Sequence, residues 1–314
     1  MKARFGKTLF AALALSIALV GCGGGGAKTA SNLKGSFDID GSSTLYPLTA
    51  AVTEEFMNEN KKVKITVSES GTGTGMARFC NGEIKVADAS RPISDEEKAA
   101  CEAKGIKFTE LKVALDGITV VVNKKNTWAK ELTVAQLKSI FEMNSKVKNW
   151  SDIPGTKGFP NEKINLYTPG SASGTFEFFT DHINGTKKVQ RVTQVTQSED
   201  DNILVKGVVG DKYAIGYFGY GYYDENQSKV NDVKILDATK ADKAVAPSKK
   251  TIADGTYTLA RPLYLYVDSA ALKSDKVVQG FVKYFMDNTE TLADDVLMVP
   301  LPKNQLADEQ AKVE

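Results

Sequence analysis

The chain has 314 residues, of which 42% are hydrophobic and 25% charged, a composition typical of a soluble globular protein long enough for two domains. The 40 basic and 39 acidic residues give a formal net charge of +1, so the chain lacks the basic excess that nucleic-acid binding requires. A metal site is not expected, because the chain has one histidine, His182, and no cysteine cluster at ligand spacing.

Residues 1–22 are predicted to be a secretory signal. The basic start MKARFGK precedes about a dozen apolar residues, fewer than the roughly 20 needed to span a bilayer. The segment ends in LVGC, which resembles the bacterial lipobox, where the cysteine is lipidated and becomes the new N-terminus. The alternative is an ordinary signal peptide with an incidental Cys22. Residues 23–34 then predict a flexible tether, so we expect an exported protein held to a membrane by a lipid on Cys22.

Two cysteines remain when Cys22 is set aside, Cys80 and Cys101. An even number of cysteines in an exported chain predicts a disulfide between them. The alternative is a pair of buried thiols.

Strands and helices alternate through the first 123 residues. The apolar periodicity predicts strands over 36–40, 63–67, 83–90 and 108–123, and helices over 45–60, from 76 and over 92–105. Strands that alternate with helices favour an α/β domain with a mostly parallel sheet.

The rest of the chain repeats this alternation. Helices are predicted over 132–142, 176–183 and 198–209, and strands over 163–167, 192–197, 213–223 and 259–268. Residues 245–260 are polar and predict a loop, and the chain from 277 onward is mainly helical.

Three segments rich in glycine and hydroxyl residues each lie between a predicted strand and a predicted helix. They are GSST at 41–44, GTGTG at 71–75 and GSASGT at 170–175. Ligands of open α/β sheets bind where such loops gather, and helix N-termini offer unpaired N–H groups to anions. The three loops together predict a small-oxyanion pocket; the alternative is ordinary helix caps without a ligand.

Other functional motifs fail in these loops. GTGTG lacks the Lys-Ser or Lys-Thr of a P-loop, and Met76 stands where a dinucleotide fingerprint needs its third glycine. GSASG has Ala172 where a nucleophile elbow needs serine. A serine hydrolase is therefore not expected.

Four segments in order resemble the phosphate-binding protein family of the bacterial high-affinity phosphate ABC importer. They are DGSSTLYPL (40–48), SGTGTGMARFCNGEIKVADASRPI (70–93), LYTPGSASGTFEFF (166–179) and SEDDNILVKGV (198–208). The resemblance implies an α/β, two-lobed periplasmic-binding-protein fold of type II, in which each lobe is a mixed sheet flanked by helices. One lobe would comprise 35–115 plus 262–314 and the other 116–261, with crossover strands near 115–119 and 259–264 as the hinge.

The resemblance also implies a set of phosphate-binding residues. Carried over by position, they are Ser43, Thr44, Thr72, Arg91, Ser173, Gly174 and Thr175. Arg91 is the one basic residue within the candidate loops, so we expect it to be the main charge that faces the anion.

The chain departs from the best-known family pattern at two places. Some members carry an arginine shortly before S-G-T, where this chain has Pro169 and Gly170. Some carry an aspartate after the third strand, where this chain has Arg91. We infer that the arginine has moved from one lobe to the other. The carboxylate that would accept the proton of phosphate then has three candidates: Asp88, Asp200 and Asp201.

The resemblance implies a binding protein that is not an enzyme, needs no cofactor and works as a monomer. It would hand inorganic phosphate to an ABC importer permease, and its only membrane contact of its own would be the N-terminal lipid. The alternatives are a receptor for sulfate or molybdate, or an exported phosphatase. The phosphatase would need an activated nucleophile or a metal, and the sequence shows neither.

Overall fold

The computed structural model describes residues 33–314. The predicted signal peptide, the lipobox with Cys22 and nearly all of the predicted tether lie outside the described residues. Within the described range, no helix is both long enough and apolar enough to cross a bilayer.

The strands belong to one large mixed sheet and one small two-stranded sheet. In chain order they are β1 (Lys34–Gly41), β2 (Lys62–Ser68), β3 (Val86–Ala89), β4 (Phe108–Asn123), β5 (Glu131–Thr133), β6 (Asn165–Thr168), β7 (Val195–Gln197), β8 (Ala214–Gly219), β9 (Val230–Asp232), β10 (Lys234–Leu236) and β11 (Ala260–Asp268).

The helices flank these strands. In chain order they are α1 (Tyr46–Glu59), α2 (Thr72–Cys80), α3 (Asp95–Ala103), α4 (Val134–Phe141), α5 (Gly174–Phe179), α6 (Asp201–Gly210), α7 (Tyr220–Asn226), α8 (Lys249–Ala253), α9 (Ser269–Ser274), α10 (Lys276–Asp295) and α11 (Lys303–Gln310). A 3₁₀ turn covers Trp150–Asp152, and a π-helical turn, Thr180–Asn184, continues α5.

The large sheet has the order β2-β1-β3-β11-β4-β8-β6-β7, with β9 also paired to β4. Two sets of parallel strands lie at its ends: β1, β2 and β3, here called sheet half A, and β6, β7 and β8, here called sheet half B. β4 and β11 lie between the halves and run antiparallel to each other. The fold is therefore the expected α/β architecture with a mixed sheet in each part.

β4 is the longest strand because it serves both halves. Its first part pairs with β11, and Ile118–Val122 pair with β8 of half B. β11 in turn pairs with β3 of half A through Tyr264–Val267. The chain thus crosses between the halves along β4 and β11, and Arg261 of β11 lies opposite Asp116 of β4 at this crossing.

Each half has its own aromatic packing. In half A, Phe281 of α10 contacts Phe37 and Phe56 edge to face, with ring centroids 5.5 Å apart in both pairs. In half B, Phe179 stacks on Tyr217 at 3.7 Å. These buried rings fix the helices behind the sheet, so the loops at the strand ends are held by rigid elements.

Cys80 at the end of α2 and Cys101 in α3 form the predicted disulfide. Ser94 caps α3 in a capping box with Glu97, which explains why this helix begins after Pro92 rather than at it. Gly105 follows the helix with φ of +71°, a conformation that favours glycine.

Other element predictions were wrong as well. α2 begins at Thr72, so GTGTG belongs mostly to the helix, where its glycines do not prevent a first turn. Residues 220–223 were predicted as strand but start α7. The predicted loop over 245–260 contains the short α8, which Ser248 caps. Each of these predictions followed the local composition and missed the start of a helix. Most helical stability in proteins comes from tertiary packing, which local composition does not show.

Candidate functional site

Backbone hydrogen bonds join the three loops that follow the strands of half A. The first loop follows β1 (42–45), the second follows β2 (69–71) and the third follows β3 (90–94). Gly71 N donates to Gly41 O at 2.7 Å, and Ser42 N donates to Asp88 O at 3.0 Å. Gly41 has φ of +152°, and a Cβ there would overlap the carbonyl of Asp88. Glycine is therefore required at the point where the first and third loops meet.

Two buried carboxylates, those of Asp40 and Asp88, lie next to these loops. Asp40 accepts a hydrogen bond from Ser70 N at 3.0 Å and forms an ion pair with Arg78 at 2.6 Å. Asp88 is fully buried and accepts a hydrogen bond from the Thr49 hydroxyl at 2.7 Å. Its Oδ1 has no hydrogen-bond partner within residues 33–314. Burial raises the pKa of Asp88 to about 7, with a smaller contribution from the negative charge of Asp40.

Thr72 connects the second loop to the third. Its hydroxyl oxygen accepts a hydrogen bond from Ser90 N at 3.1 Å and lies 3.3 Å from Ser90 Oγ. Thr72 is the first residue of α2, whose N-terminus has no side-chain cap. The N-terminal N–H groups of this helix are thus available beside Thr72.

Arg91 follows Ser90 and is held by α3. Its NH1 and NH2 groups donate to the two carboxylate oxygens of Glu97 at 2.8 and 2.7 Å. This bidentate pair raises the pKa of Arg91 and lowers that of Glu97, whose burial alone would raise its pKa. Glu97 therefore largely neutralises the charge of Arg91.

The fourth loop, residues 170–175, leads from β6 into α5 in half B. The Ser173 hydroxyl caps α5 by accepting hydrogen bonds from Thr175 N at 3.1 Å and Phe176 N at 3.4 Å. Glu199 lies beside this loop and accepts a hydrogen bond from Ala172 N at 3.3 Å. A Cβ on Gly174 would overlap the hydroxyl of Thr44, so the loops of the two halves are in direct contact here.

Arg261 occupies the point where the loops of both halves meet. Its Nε and NH2 contact Asp116 Oδ2 at 3.0 and 2.9 Å. NH2 also donates to Thr44 Oγ1 at 3.0 Å and to Gly174 O at 3.1 Å. The guanidinium lies 4.5 Å from the centroid of the Phe178 ring. Arg261 therefore touches one loop from each half while its charge is balanced by Asp116.

Two cavities adjoin this contact. The smaller, of about 220 Å³, is lined by Thr72, Ser90, Arg91, Pro92, Glu177, Phe178, Asp181, Lys187, Arg261 and Pro262. The larger, of about 610 Å³, has lining residues that include Ser43, Thr44, Asp116, Ser173, Gly174, Thr175, Glu199, Asp201 and Tyr222. Arg261 lines the smaller cavity and binds Thr44 and Gly174 of the larger one, so it lies between them.

The seven residues expected to bind phosphate are thus divided by the structure. Thr72 and Arg91 line the smaller cavity, and the other five line the larger one. Ser90, Lys187 and Arg261 were not predicted from the sequence, and they line the smaller cavity together with Thr72 and Arg91. Arg261 had a usable signal, since it is the basic residue in the predicted crossover at 259–264.

The three candidate proton acceptors occupy different environments. Asp200 is exposed and caps α6 by accepting a hydrogen bond from Asn202 N at 2.9 Å. Asp88 lines neither of the two cavities. Asp201 lines the larger one, and its pKa is raised to about 7 by burial and by the nearby charges of Asp116 and Asp200. Asp201 is the candidate that lies on the cavity wall with Thr44.

Comparison with known proteins identifies the family. Residues 26–289 match the family model of a PBP superfamily domain. The phosphate-binding protein PstS of Staphylococcus saprophyticus is 38% identical over 310 residues, which cover 99% of this chain and 93% of that protein. The chain belongs to the PstS family within the PBP superfamily.

Two further similarities agree with membership of the PstS family. Protein SphX of Synechococcus elongatus is 43% identical over 93% of this chain and 85% of that protein. A solved structure described as a possible phosphate binding protein from Planctomyces limnophilus has a TM-score of 0.82 and 44% identity, over 90% of this chain and 98% of that one. An ABC-type phosphate transport receptor from Vibrio cholerae shares the fold, with a TM-score of 0.69 at 20% identity and coverage of 85% of this chain and 100% of that one.

Proposed function

We propose that this chain is an extracytoplasmic receptor that binds inorganic phosphate and delivers it to the permease of an ABC importer. The observation that carries the proposal is the meeting of four strand-end loops around Arg261, where hydroxyl groups, an uncapped helix N-terminus and guanidinium groups face two adjoining cavities. Neutral donors together with few full charges suit a small tetrahedral oxyanion. The near full-length similarity to proteins named PstS supports the same ligand.

We infer that the ligand touches residues of both halves. Ser43, Thr44, Thr72 and Arg91 would bind from half A, and Ser173, Gly174 and Thr175 from half B. The contact of Gly174 with Thr44, together with the bonds from Arg261 to both, supports a ligand position at this junction. The lobes would be 35–115 plus 262–314 and 116–261, joined by β4 and β11.

The lobes are proposed to close on the ligand by a hinge motion. β4 and β11 are the crossings of the large sheet between its halves, so small backbone changes near Asp116 and Arg261 would rotate one half relative to the other. Ordered loops at the strand ends would then meet around the anion.

Asp201 is our proposed acceptor for the proton that phosphate carries near neutral pH. Its place on the wall of the larger cavity with Thr44 favours it over Asp88 and Asp200. An ionised carboxylate there would repel sulfate, which has no proton to donate at this pH. This choice supports phosphate over the alternative ligands sulfate and molybdate.

We further propose that the protein acts without catalysis, as a monomer, and is held to the membrane by a lipid on Cys22. An exported phosphatase is disfavoured because the proposed site contains no histidine base: His182 pairs with the buried Thr258 hydroxyl at 2.9 Å, outside both cavities.

Calorimetry tests the ligand. The purified protein is titrated with phosphate, arsenate and sulfate at pH 7.5, and a phosphomonoester is incubated with it to detect released phosphate. We expect tight binding of phosphate and arsenate, weak or no binding of sulfate, and no hydrolysis. Preferential binding of sulfate or molybdate would transfer the receptor to another oxyanion, and turnover of the ester would contradict the receptor function.

A further inference from the structure

Four arginines lie within residues 33–314, and they differ in how their charges are used. Arg78 is paired with Asp40. Arg191 is buried and donates only to neutral oxygens, among them Val147 O at 2.6 Å. Arg91 and Arg261 are the two that line the smaller cavity. Lys187 also lines this cavity, but it is exposed and pairs with Glu177 at 3.7 Å, so we expect one of the two arginines to be the principal cation of an anion site there.

Arg91 is the weaker choice because its side chain is 34% exposed, against 12% for Arg261, so water screens its charge more strongly. NH1 and NH2 donate to both oxygens of Glu97, and NH1 also donates to Pro92 O at 3.1 Å. The pair uses the NH1/NH2 edge of the guanidinium, so an oxyanion at Arg91 would have to bind the Nε/NH2 edge beside a carboxylate that is already paired with it. Glu97 also belongs to the capping box of α3, so its position is fixed independently of Arg91.

Arg261 keeps one nitrogen of its guanidinium, NH1, for a ligand. Among the described residues, Nε and NH2 make all the hydrogen bonds of Arg261, to Asp116, Thr44 and Gly174. NH1 has no hydrogen-bond partner within residues 33–314. The side chain is only 12% exposed, so an anion that reached it would meet a largely desolvated charge.

The surroundings of Arg261 fix its orientation. Asp116 lies opposite it in the β4–β11 register and binds Nε and NH2 through one oxygen. Phe178 covers one face of the guanidinium. A cation held in this way loses little conformational freedom when a ligand binds, which favours both affinity and geometric selectivity.

We propose that Arg261, oriented by Asp116, is the principal cation of the oxyanion site and that Arg91 has a secondary role. This inference rests on the proposed function and deepens it, because it names the charged group at the junction of the two halves. Arg261 is a binding residue, and Asp116 is a positioning residue that acts through it.

Nitrogen-15 NMR of the arginine side chains tests the proposal in the unmodified protein. The whole chain contains only five arginines, so the Nε–H signals of a protein labelled at arginine are few. In Arg91→Lys and Arg261→Lys, one Nε–H signal disappears from the spectrum. The missing signal is assigned to the substituted arginine. Addition of inorganic phosphate should move the Arg261 signal by more than the Arg91 signal. A larger shift of Arg91, with Arg261 unmoved, would overturn the proposal.

Calorimetry on the same variants provides the second test. Arg261→Lys should weaken phosphate binding by roughly 10- to 100-fold, because an ammonium keeps the charge but not the planar group that Nε and NH2 hold in position. Arg91→Lys is the matched control and should weaken binding by less. Equal affinities of Arg261→Lys and the wild type would contradict the proposal.

Asp116→Asn and Asp116→Glu test the positioning role. If Asp116 orients Arg261, Asp116→Asn should weaken phosphate binding and also reduce the phosphate-induced shift of the Arg261 signal, while Asp116→Glu recovers part of both. An Arg261 signal that responds to phosphate as in the wild type in Asp116→Asn would contradict that role. The failures are distinguishable: a wild type that binds no phosphate refutes the proposed function, whereas wild-type binding without involvement of Arg261 refutes only this inference.

Discussion

Gly174 of half B lies so close to Thr44 of half A that a Cβ on Gly174 would overlap the Thr44 hydroxyl. The two residues belong to loops that the chain separates by 130 positions and that Arg261 joins through hydrogen bonds to both. At this contact, the loops of the two halves lie against each other in the proposed site.

Gly174→Ala should weaken phosphate binding by at least about tenfold, because the added methyl group opposes the approach of the two loops that the ligand requires. The thermal midpoint without phosphate should change little, since the clash is relieved when the halves separate. Calorimetry and thermal melts measure both quantities. Gly210→Ala is the control, because a Cβ there meets no atom within 4 Å. Unchanged affinity in a folded Gly174→Ala protein would show that the halves need not approach here.

Arg91→Ala should weaken phosphate binding by about tenfold and less than substitution of Arg261 does, because the more exposed Arg91 charge is screened more strongly by water. The first turn of α3 should remain, since Ser94 still caps it. Titration calorimetry measures the affinity, and circular dichroism measures the helix content. A loss of more than a hundredfold would return the principal charge to Arg91.

Removal of the disulfide should lower stability without abolishing binding. Cys80–Cys101 closes a loop with a sequence separation of 21, for which the chain-entropy model gives about 3 kcal/mol. The bond joins Cys80, at the C-terminal end of α2, to Cys101 of α3, and Thr72 lies at the opposite end of α2. We expect the double variant Cys80→Ala, Cys101→Ala to unfold at a lower urea concentration while its phosphate affinity stays within about threefold of wild type. Loss of binding in a folded double variant would tie the disulfide directly to the site.

The raised pKa of Asp88 predicts that the free energy of unfolding depends on pH. Its pKa is raised from 3.8 to about 7 in the folded protein, so between these values the folded state keeps a proton that the unfolded chain releases. The free energy of unfolding should therefore fall as pH rises from about 4 to about 7, and the full cost is present above pH 7. Asp88→Asn removes this cost while its side-chain oxygen can still accept the bond from Thr49.

Urea unfolding at pH 5 and pH 8 measures this effect. Asp88→Asn should gain stability relative to the wild type at pH 8 and gain less at pH 5. Asp38→Asn is the control, because Asp38 is exposed on β1. A difference between Asp88→Asn and wild type that does not change with pH would show that folding does not shift the pKa of Asp88 into this range.

The sequence was sufficient for the longer strands and helices because apolar periodicity is a local property, but the short elements β5, β9, β10 and α9 were not predicted. The long β-rich run at 108–123 and the disulfide between Cys80 and Cys101 are examples that the structure confirms. The start of α2 at Thr72 was missed because two glycines in its first turn lower the local helix propensity.

The candidate site was predicted less completely for a physical reason. The loops 41–44, 71–75 and 170–175 carry local patterns, whereas Arg261 acquires its role only when β11 pairs with β4 and brings it to Asp116. The pair of Arg91 with Glu97 likewise depends on how α3 packs beside the third loop. Neither relationship is visible in spacing along the chain.

An anomalous difference map from crystals grown with arsenate, a phosphate analogue that contains a strong anomalous scatterer, tests the central claim most directly. The account predicts one arsenic peak between the two halves of the sheet, within hydrogen-bond distance of Arg261 and of donors from the loops around Thr44, Thr72 and Gly174. An arsenic peak that contacts only one half, or that lies away from Arg261, would contradict it.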